Sequence, residues 1–325
     1  MYSAGFITNT GTNHFYQAKN QREIKFLLLP QSISMERIES SELVLTPEGA
    51  VYHLNLQPEN IGSTILLVGD PGRVPEVSKH FDNIDFKTQS REFITHTGSI
   101  GGKRLSVISS GIGTDNCDIV INELDALVNI DLHNRTIKEQ HTALDIIRIG
   151  TSGALHATIE PDTYVVSKYA VGIDGMANFY DFTSSDEEEA LAEYFANYMD
   201  WGSELAYPFA FKGSDRLTNL LSPDNNSGIT VTANGFYGPQ GRRLRAPLRY
   251  PEINTRFETF DYNGMKLCNY EMETSGIYAL AGMLGHNAAT ICLIVANRVT
   301  KRFSTNYKPK MEGLIEQVIE RVMAE

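Results

Sequence analysis

The chain has 325 residues, 42% of them hydrophobic and 21% charged, the composition of a globular protein. A formal net charge of −12 excludes a broad nucleic-acid surface and leaves any anion to a local basic pocket. No apolar run reaches membrane-spanning length, and no basic start followed by a long apolar core marks a signal peptide.

Residues 1–45 lack periodicity, are rich in Asn, Thr, Gln and Ser, and are expected to form an irregular extension. Met35, which opens a more charged stretch, is a candidate translation start. From Thr64 onward apolar runs of strand length alternate with helical patterns. Thr64–Val68 ends in Gly69-Asp70-Pro71-Gly72-Arg73. Leu105–Ile108 ends in Ser109-Ser110-Gly111-Ile112-Gly113. A helical stripe follows through Ile119, Val120, Leu124, Leu127 and Val128. The polar stretch Asn129–Thr142 reads as an inserted loop.

Asp145–Ile149, carrying Arg148, is expected to stop in the turn-forming Gly150-Thr151-Ser152-Gly153. Further strands are expected at Thr163–Val166, Ile229–Thr232 and Ala289–Val295, the last followed by Ala296-Asn297-Arg298. Ser185–Glu189 looks like a helix start whose acids suit the dipole. Met311, Leu314, Ile315, Val318, Ile319 and Val322 form a second stripe. Such a pattern predicts a largely parallel sheet covered by helices, in one domain spanning 46–325. Cys117, Cys268 and Cys292 fit no metal or CxxC spacing and are expected to be buried free thiols in a reducing, cytoplasmic setting.

Ligands of open α/β sheets bind beyond the carboxyl ends of the strands. Three strand ends here are glycine-rich, and Arg73, Arg148 and Arg298 lie at or beside strand ends. Their convergence predicts a pocket for a small polar or anionic ligand.

The motifs Val51-Tyr52-His53-Leu54, Val68–Val74, Arg91-Glu92-Phe93, Ser110–Gly113, Arg148–Gly153, Phe236–Arg242, Asn269-Tyr270-Glu271-Met272-Glu273 and Val295–Arg298 occur in this order. From Val51 to the C-terminus the chain resembles the nucleoside phosphorylase family, and its uridine-cleaving members most. The resemblance implies a three-layer α/β fold with a curved mixed β-sheet flanked by helices. It also implies reversible cleavage of the N-glycosidic bond by inorganic phosphate, the co-substrate, with no organic cofactor and no catalytic metal.

By the same resemblance Gly69, Arg73, Arg148 and Thr151 cradle phosphate, and Arg91 reaches it from a neighbouring subunit. His53, also from the neighbour, Met272 and Glu273 take the ribose, while Glu271 is structural. Phe236, Gln240, Arg242 and Arg298 take the uracil. Shared sites imply a homo-oligomer, at least a dimer, and the family often forms a ring of three dimers. Purine-cleaving relatives place an acid just before the base loop, where this chain has Asn234 and Gly235. The alternatives are a purine nucleoside phosphorylase or nucleosidase of the same fold, or an inactive nucleoside-binding homologue. Some members hold a monovalent cation at the interface. Glu92 matches one ligand, but Asn116 stands at the serine position, so no ion is assigned.

Overall fold

In a computed structural model, residues 37–325 are described; the Met35 start and most of the expected extension lie outside them. Strand β1 (Thr64–Val68) is followed by the short helix α1 (Arg73–Ser78) and by strands β2 (Asn83–Ser90), β3 (Phe93–Ile100) and β4 (Lys103–Ser109). Helix α2 (Thr114–Asn129) leads into a small hairpin, β5 (Ile130–Asp131) and β6 (Thr136–Ile137), and then β7 (Asp145–Ala154) and β8 (Tyr164–Gly172). Next come α3 (Asp186–Met199), β9 (Phe209–Lys212), α4 (Asp215–Leu221), β10 (Asn226–Thr232) and α5 (Ile253–Thr259). The chain finishes with β11 (Asp261–Tyr262), β12 (Met265–Glu271), α6 (Thr274–Met283), β13 (Asn287–Asn297) and α7 (Tyr307–Ala324).

Among the described residues the large sheet runs β11-β12-β10-β8-β13-β7-β1-β4-β3-β2, with β9 beside β8. Its centre is parallel: β1 lies between β4 and β7, and β7 pairs parallel with β13. β8 runs antiparallel to β13, so the sheet is mixed. β12 pairs with β10 and also, antiparallel, with the far end of β7 through Asn269↔Ala154 and Tyr270↔Gly153. That second pairing closes β7, β13, β8, β10 and β12 into a ring, which gives the sheet its curvature.

Strand alternation sends successive side chains to opposite faces. Ile65, Leu67 and Ile146 pack against α2 and α6, whereas Leu66, Val68, Ile147 and Ile149 pack with α1, α4 and α7. Helices thus cover both faces, and the result is the three-layer arrangement. A third cluster, with Phe195, Phe257, Phe260 and Tyr270, joins α3 and α5 to the curled end of the sheet. Ser185 caps α3, its hydroxyl accepting from the Glu188 amide in a reciprocal box.

Two expectations need correction. Gly150–Gly153 is not a turn after a strand; β7 continues through it to Ala154 because β13 and β12 supply pairing partners on either side. The stretch 129–142 contains the β5–β6 hairpin rather than only a loop. Packing also begins before residue 46. Leu43 is buried, the Ile38 amide donates to the Arg135 carbonyl (2.8 Å), and Arg135 Nη1 donates to the Leu43 carbonyl (2.6 Å). All three cysteines are buried and unpaired.

Candidate active site

The carboxyl ends of β1, β4, β7, β12 and β13 open into a cavity of about 960 Å³. Its lining includes Gly69, Arg73, Arg148, Thr151, Met272, Glu273, Phe236, Gln240 and Arg242, nine of the twelve side chains and glycines singled out from the sequence. Residues 69 and 303 therefore meet around one space, although more than two hundred positions separate them.

The first corner is cationic. Arg73 opens α1 directly after the Gly69–Gly72 turn and is buried. Its Nη1 donates to the Ile149 carbonyl at 3.1 Å and its Nη2 to the Tyr307 hydroxyl at 3.0 Å. Its Nε is buried and has no hydrogen-bond partner among the described residues. Arg148 leaves β7 on the face opposite Ile147 and Ile149. Its guanidinium folds back over Gly150, two residues on and on the same face. A Cβ on Gly150 would stand 1.8 Å from Arg148 Nη1 and 2.8 Å from Cys292 Sγ, so only glycine leaves that space.

The second corner is acidic. Arg148 Nη2 donates to Glu273 Oε2, while Nη1 donates to Cys292 Sγ at 3.2 Å and lies 3.5 Å from Glu271 Oε2. Burial opposes the charge on Arg148, but Glu273 and Glu271 outweigh it and hold the cation well above its ordinary pKa. Glu273 also accepts from the amides of Gly113 (3.0 Å) and Met272 (3.2 Å). Glu271 accepts from Thr232 Oγ1 (2.6 Å) and from the amides of Glu273 (3.0 Å) and Thr274 (3.0 Å), where α6 begins. These bonds satisfy two of the open donors of the helix start. Burial nevertheless raises the Glu271 carboxyl, against the pull of Arg148.

The third corner is the β10–α5 loop. Arg242 Nη1 donates to Gln240 Oε1 and to the Phe236 carbonyl (2.6 Å), and its Cζ lies 3.7 Å from the centre of the Phe236 ring. Phe236 thus spends one face on a cation rather than on a ligand. Burial, then Arg298, lowers Arg242 to about 10, which leaves it charged at neutral pH. Gln240 is only 2% exposed. Its turn is held from behind: Tyr270 Oη donates to the Pro239 carbonyl at 2.7 Å and Asn254 Nδ2 to the Gln240 carbonyl at 3.3 Å. Gly241 sits at φ +64°, and a Cβ there would stand 2.4 Å from Asn254 Nδ2.

Three singled-out residues lie elsewhere. Arg298 packs against Gly153 below the loop, half-buried, where it acts on Arg242 electrostatically. His53 and Arg91 are outside the cavity. His53 Nδ1 pairs with Glu123 Oε1 at 2.6 Å, and the amides of His53 and Leu54 donate to the same carboxylate. Arg91, exposed at the β2–β3 turn with φ 53°, places its guanidinium 5.9 Å from the Tyr52 ring, which meets His53 edge-on.

Glu92, Gly111, Ile112, Asn116, Tyr270 and Phe303 line the cavity without having been assigned a substrate. All but Asn116 and Phe303 lie inside the motifs quoted above. Asn116 Nδ2 donates to Glu92 Oε1 at 3.2 Å, joining the two residues weighed for a cation. Phe303, 76% exposed, reaches the cavity because its backbone bridges back to Ala296.

The arrangement offers donors for a compact oxyanion, a carboxylate for hydroxyls beside it, and a rigid amide–guanidinium pair for a planar polar ring. Residues 63–320 match the model of the phosphorylase superfamily. The chain belongs to that superfamily. A uridine phosphorylase of Thermococcus kodakarensis is 31% identical over 297 residues, 90% of this chain and 93% of that one. A DeoD-type purine nucleoside phosphorylase of Buchnera aphidicola is 26% identical, over 81% of this chain and 92% of its own. A nucleoside phosphorylase of Trypanosoma brucei, described as showing uridine phosphorylase activity, superposes with a TM-score of 0.78 at 26% identity. That alignment covers 87% of this chain and all of the trypanosomal one. Among the described residues, no helix is long and apolar enough to cross a membrane.

Proposed function

We propose that this enzyme cleaves uridine with inorganic phosphate, releasing uracil and ribose 1-phosphate, and that the reaction is reversible. The observation that carries the reading is the joining of three recognition corners in one cavity, with Arg148 and Glu273 in contact between two of them. Phosphate binds to Arg73, Arg148, Thr151 and the Gly69 turn, where charge and fork geometry aim one oxygen at the sugar. Glu273 takes the ribose hydroxyls and Met272 packs on the ring. That carboxylate also favours the positive charge that develops on the sugar.

As the bond between C1′ and the base nitrogen breaks, its electron pair moves into the uracil ring. Gln240 and Arg242 donate to the ring's polar edge, and Arg298 reinforces their field, which stabilises the leaving group at the moment of cleavage. The phosphate oxygen forms the new bond to C1′. No side chain with an acidic proton stands at Asn234 or Gly235, which disfavours a purine leaving group needing protonation.

His53 and Arg91 serve a neighbouring subunit's cavity in this proposal. Arg91 is exposed and His53 part-exposed beside Tyr52, away from their own cavity, which suits that role. Neither an organic cofactor nor a catalytic metal is part of the mechanism, and a cytoplasmic place in pyrimidine nucleoside salvage suits the buried free thiols. Uridine, thymidine, inosine and adenosine assayed with and without phosphate test the reading. Uracil release that requires phosphate is expected. Release without phosphate makes the enzyme a nucleosidase, faster inosine cleavage makes it a purine enzyme, and binding without turnover makes it a nucleoside-binding homologue.

A further inference from the structure

We propose that Tyr307 is a positioning residue for phosphate: it orients Arg73 without neutralising it. The inference rests on the reading of Arg73 as a phosphate ligand.

The two arginines of the cationic corner are held in different ways. Arg148 is paired with a carboxylate, so part of its charge is already answered before an anion arrives. Among the described residues Arg73 donates to two neutral acceptors, the Ile149 carbonyl and the Tyr307 hydroxyl. A phenol oxygen accepts a hydrogen bond and fixes the plane of the guanidinium, yet it adds no negative charge to compete with phosphate. A carboxylate in its place would. An unrestrained arginine side chain loses rotamer freedom when it binds, and two fixed acceptors remove most of that loss in advance. Arg73 lines the cavity, and its Nε has no hydrogen-bond partner among the described residues.

The contact is built into the fold rather than made by a loose surface tyrosine. Tyr307 is the first residue of α7, which follows the Phe303 loop at the cavity mouth. Met311, Leu314 and Ile315 of α7 share a core cluster with Val74 and Val77 of α1. One turn beyond, Glu312 accepts from Lys79 Nζ (2.6 Å) and contacts His80 Nε2 (3.0 Å) just past the end of α1. Helices α1 and α7 are therefore tied at both ends of α1, with Arg73–Tyr307 as the tie next to the cavity. Tyr307 does not itself line the cavity, so its effect passes through Arg73.

The test is Tyr307→Phe, which keeps the ring, removes only the hydroxyl, and at a one-third-exposed position preserves the fold. Phosphate affinity is measured by direct calorimetric titration with inorganic phosphate, and KM and kcat by uracil release. The expected result is a phosphate Kd and KM raised about tenfold, the size of one hydrogen bond to a charged group. KM for uridine, kcat at saturating phosphate and the melting temperature stay within twofold. In an Arg73→Lys background the same change has no further effect, because an ammonium cannot span both acceptors. A phosphate Kd within twofold of wild type overturns the proposal. So does an equal loss in the KM of uridine, which marks a general structural defect. Should the wild-type enzyme bind phosphate yet leave uridine intact, the phosphorolysis reading fails while the titration still decides the role of Tyr307.

Discussion

Arg148 and Glu273, 125 positions apart in the chain, form a buried ion pair at the centre of the cavity. In the proposed function one holds phosphate and the other the ribose, and this contact joins the two groups directly. Glu271, 3.5 Å from the same guanidinium, is a weaker second anion.

Glu273→Gln leaves Arg148 with only that second anion. Removing one partner of a buried pair costs about 3–5 kcal/mol, and the remaining carboxylate brings the expected loss to about 2 kcal/mol. The variant should melt lower than wild type, and phosphate, by supplying the missing charge, should raise its melting temperature more than that of wild type. Uridine cleavage should fall by about a hundredfold or more, since the group that stabilises the sugar's developing charge is gone. An unchanged melting temperature would show that the pair adds nothing to the fold.

Arg242→Ala should separate base recognition from phosphate binding. Arg242 fixes Gln240 through the amide oxygen and covers one face of Phe236. Its loss frees the amide and removes the donor aimed at the leaving base, for an expected drop in kcat/KM for uridine of about 10²–10³. The Kd of inorganic phosphate should stay within twofold. Wild-type turnover of uridine by the variant would refute the role of this loop.

Gly150→Ala places a methyl group where Arg148 Nη1 now lies. The guanidinium must swing away from Glu273, so the change should weaken phosphate binding by an order of magnitude or more and lower the melting point. A small substitution on a central strand would otherwise cost at most about 1–3 kcal/mol of overpacking with no effect on ligand. Calorimetric titration with phosphate tells the two apart.

Acid sensitivity should trace in part to His96. Its Nδ1 lies 2.7 Å from Ser78 Oγ, at the end of α1. Burial first, and Lys87 second, lower its pKa below the ordinary 6.5. The unfolded chain therefore takes up this proton before the folded one does. The stability that neutral His96 contributes is complete above about pH 6.5 and is lost as the pH falls from there through the lower folded value. His96→Gln should flatten the decline of melting temperature between pH 7 and 5 relative to wild type. Parallel curves for the two proteins would exclude His96 as the cause.

Local pattern carried much of the architecture. The runs at Thr64–Val68, Ile229–Thr232 and Ala289–Val295 are strands, and the stripes through Leu124 and Leu314 are buried helix faces. Periodicity and glycine punctuation act between near neighbours, so they are visible without coordinates. Gly150–Gly153 shows the limit of that reasoning. Small residues favour a turn only while the backbone lacks partners, and here β12 and β13 supply them.

By itself the sequence singled out arginines at strand ends, a glutamate before a helix, and an amide–guanidinium pair in one loop, most of which line one cavity. Only the tertiary structure decided how they are held. That Arg148 answers Glu273 and that Arg73 answers Tyr307 follow from packing between segments 125 and 234 positions apart. No spacing rule encodes such contacts, because each depends on the rotamer that the surrounding core leaves open.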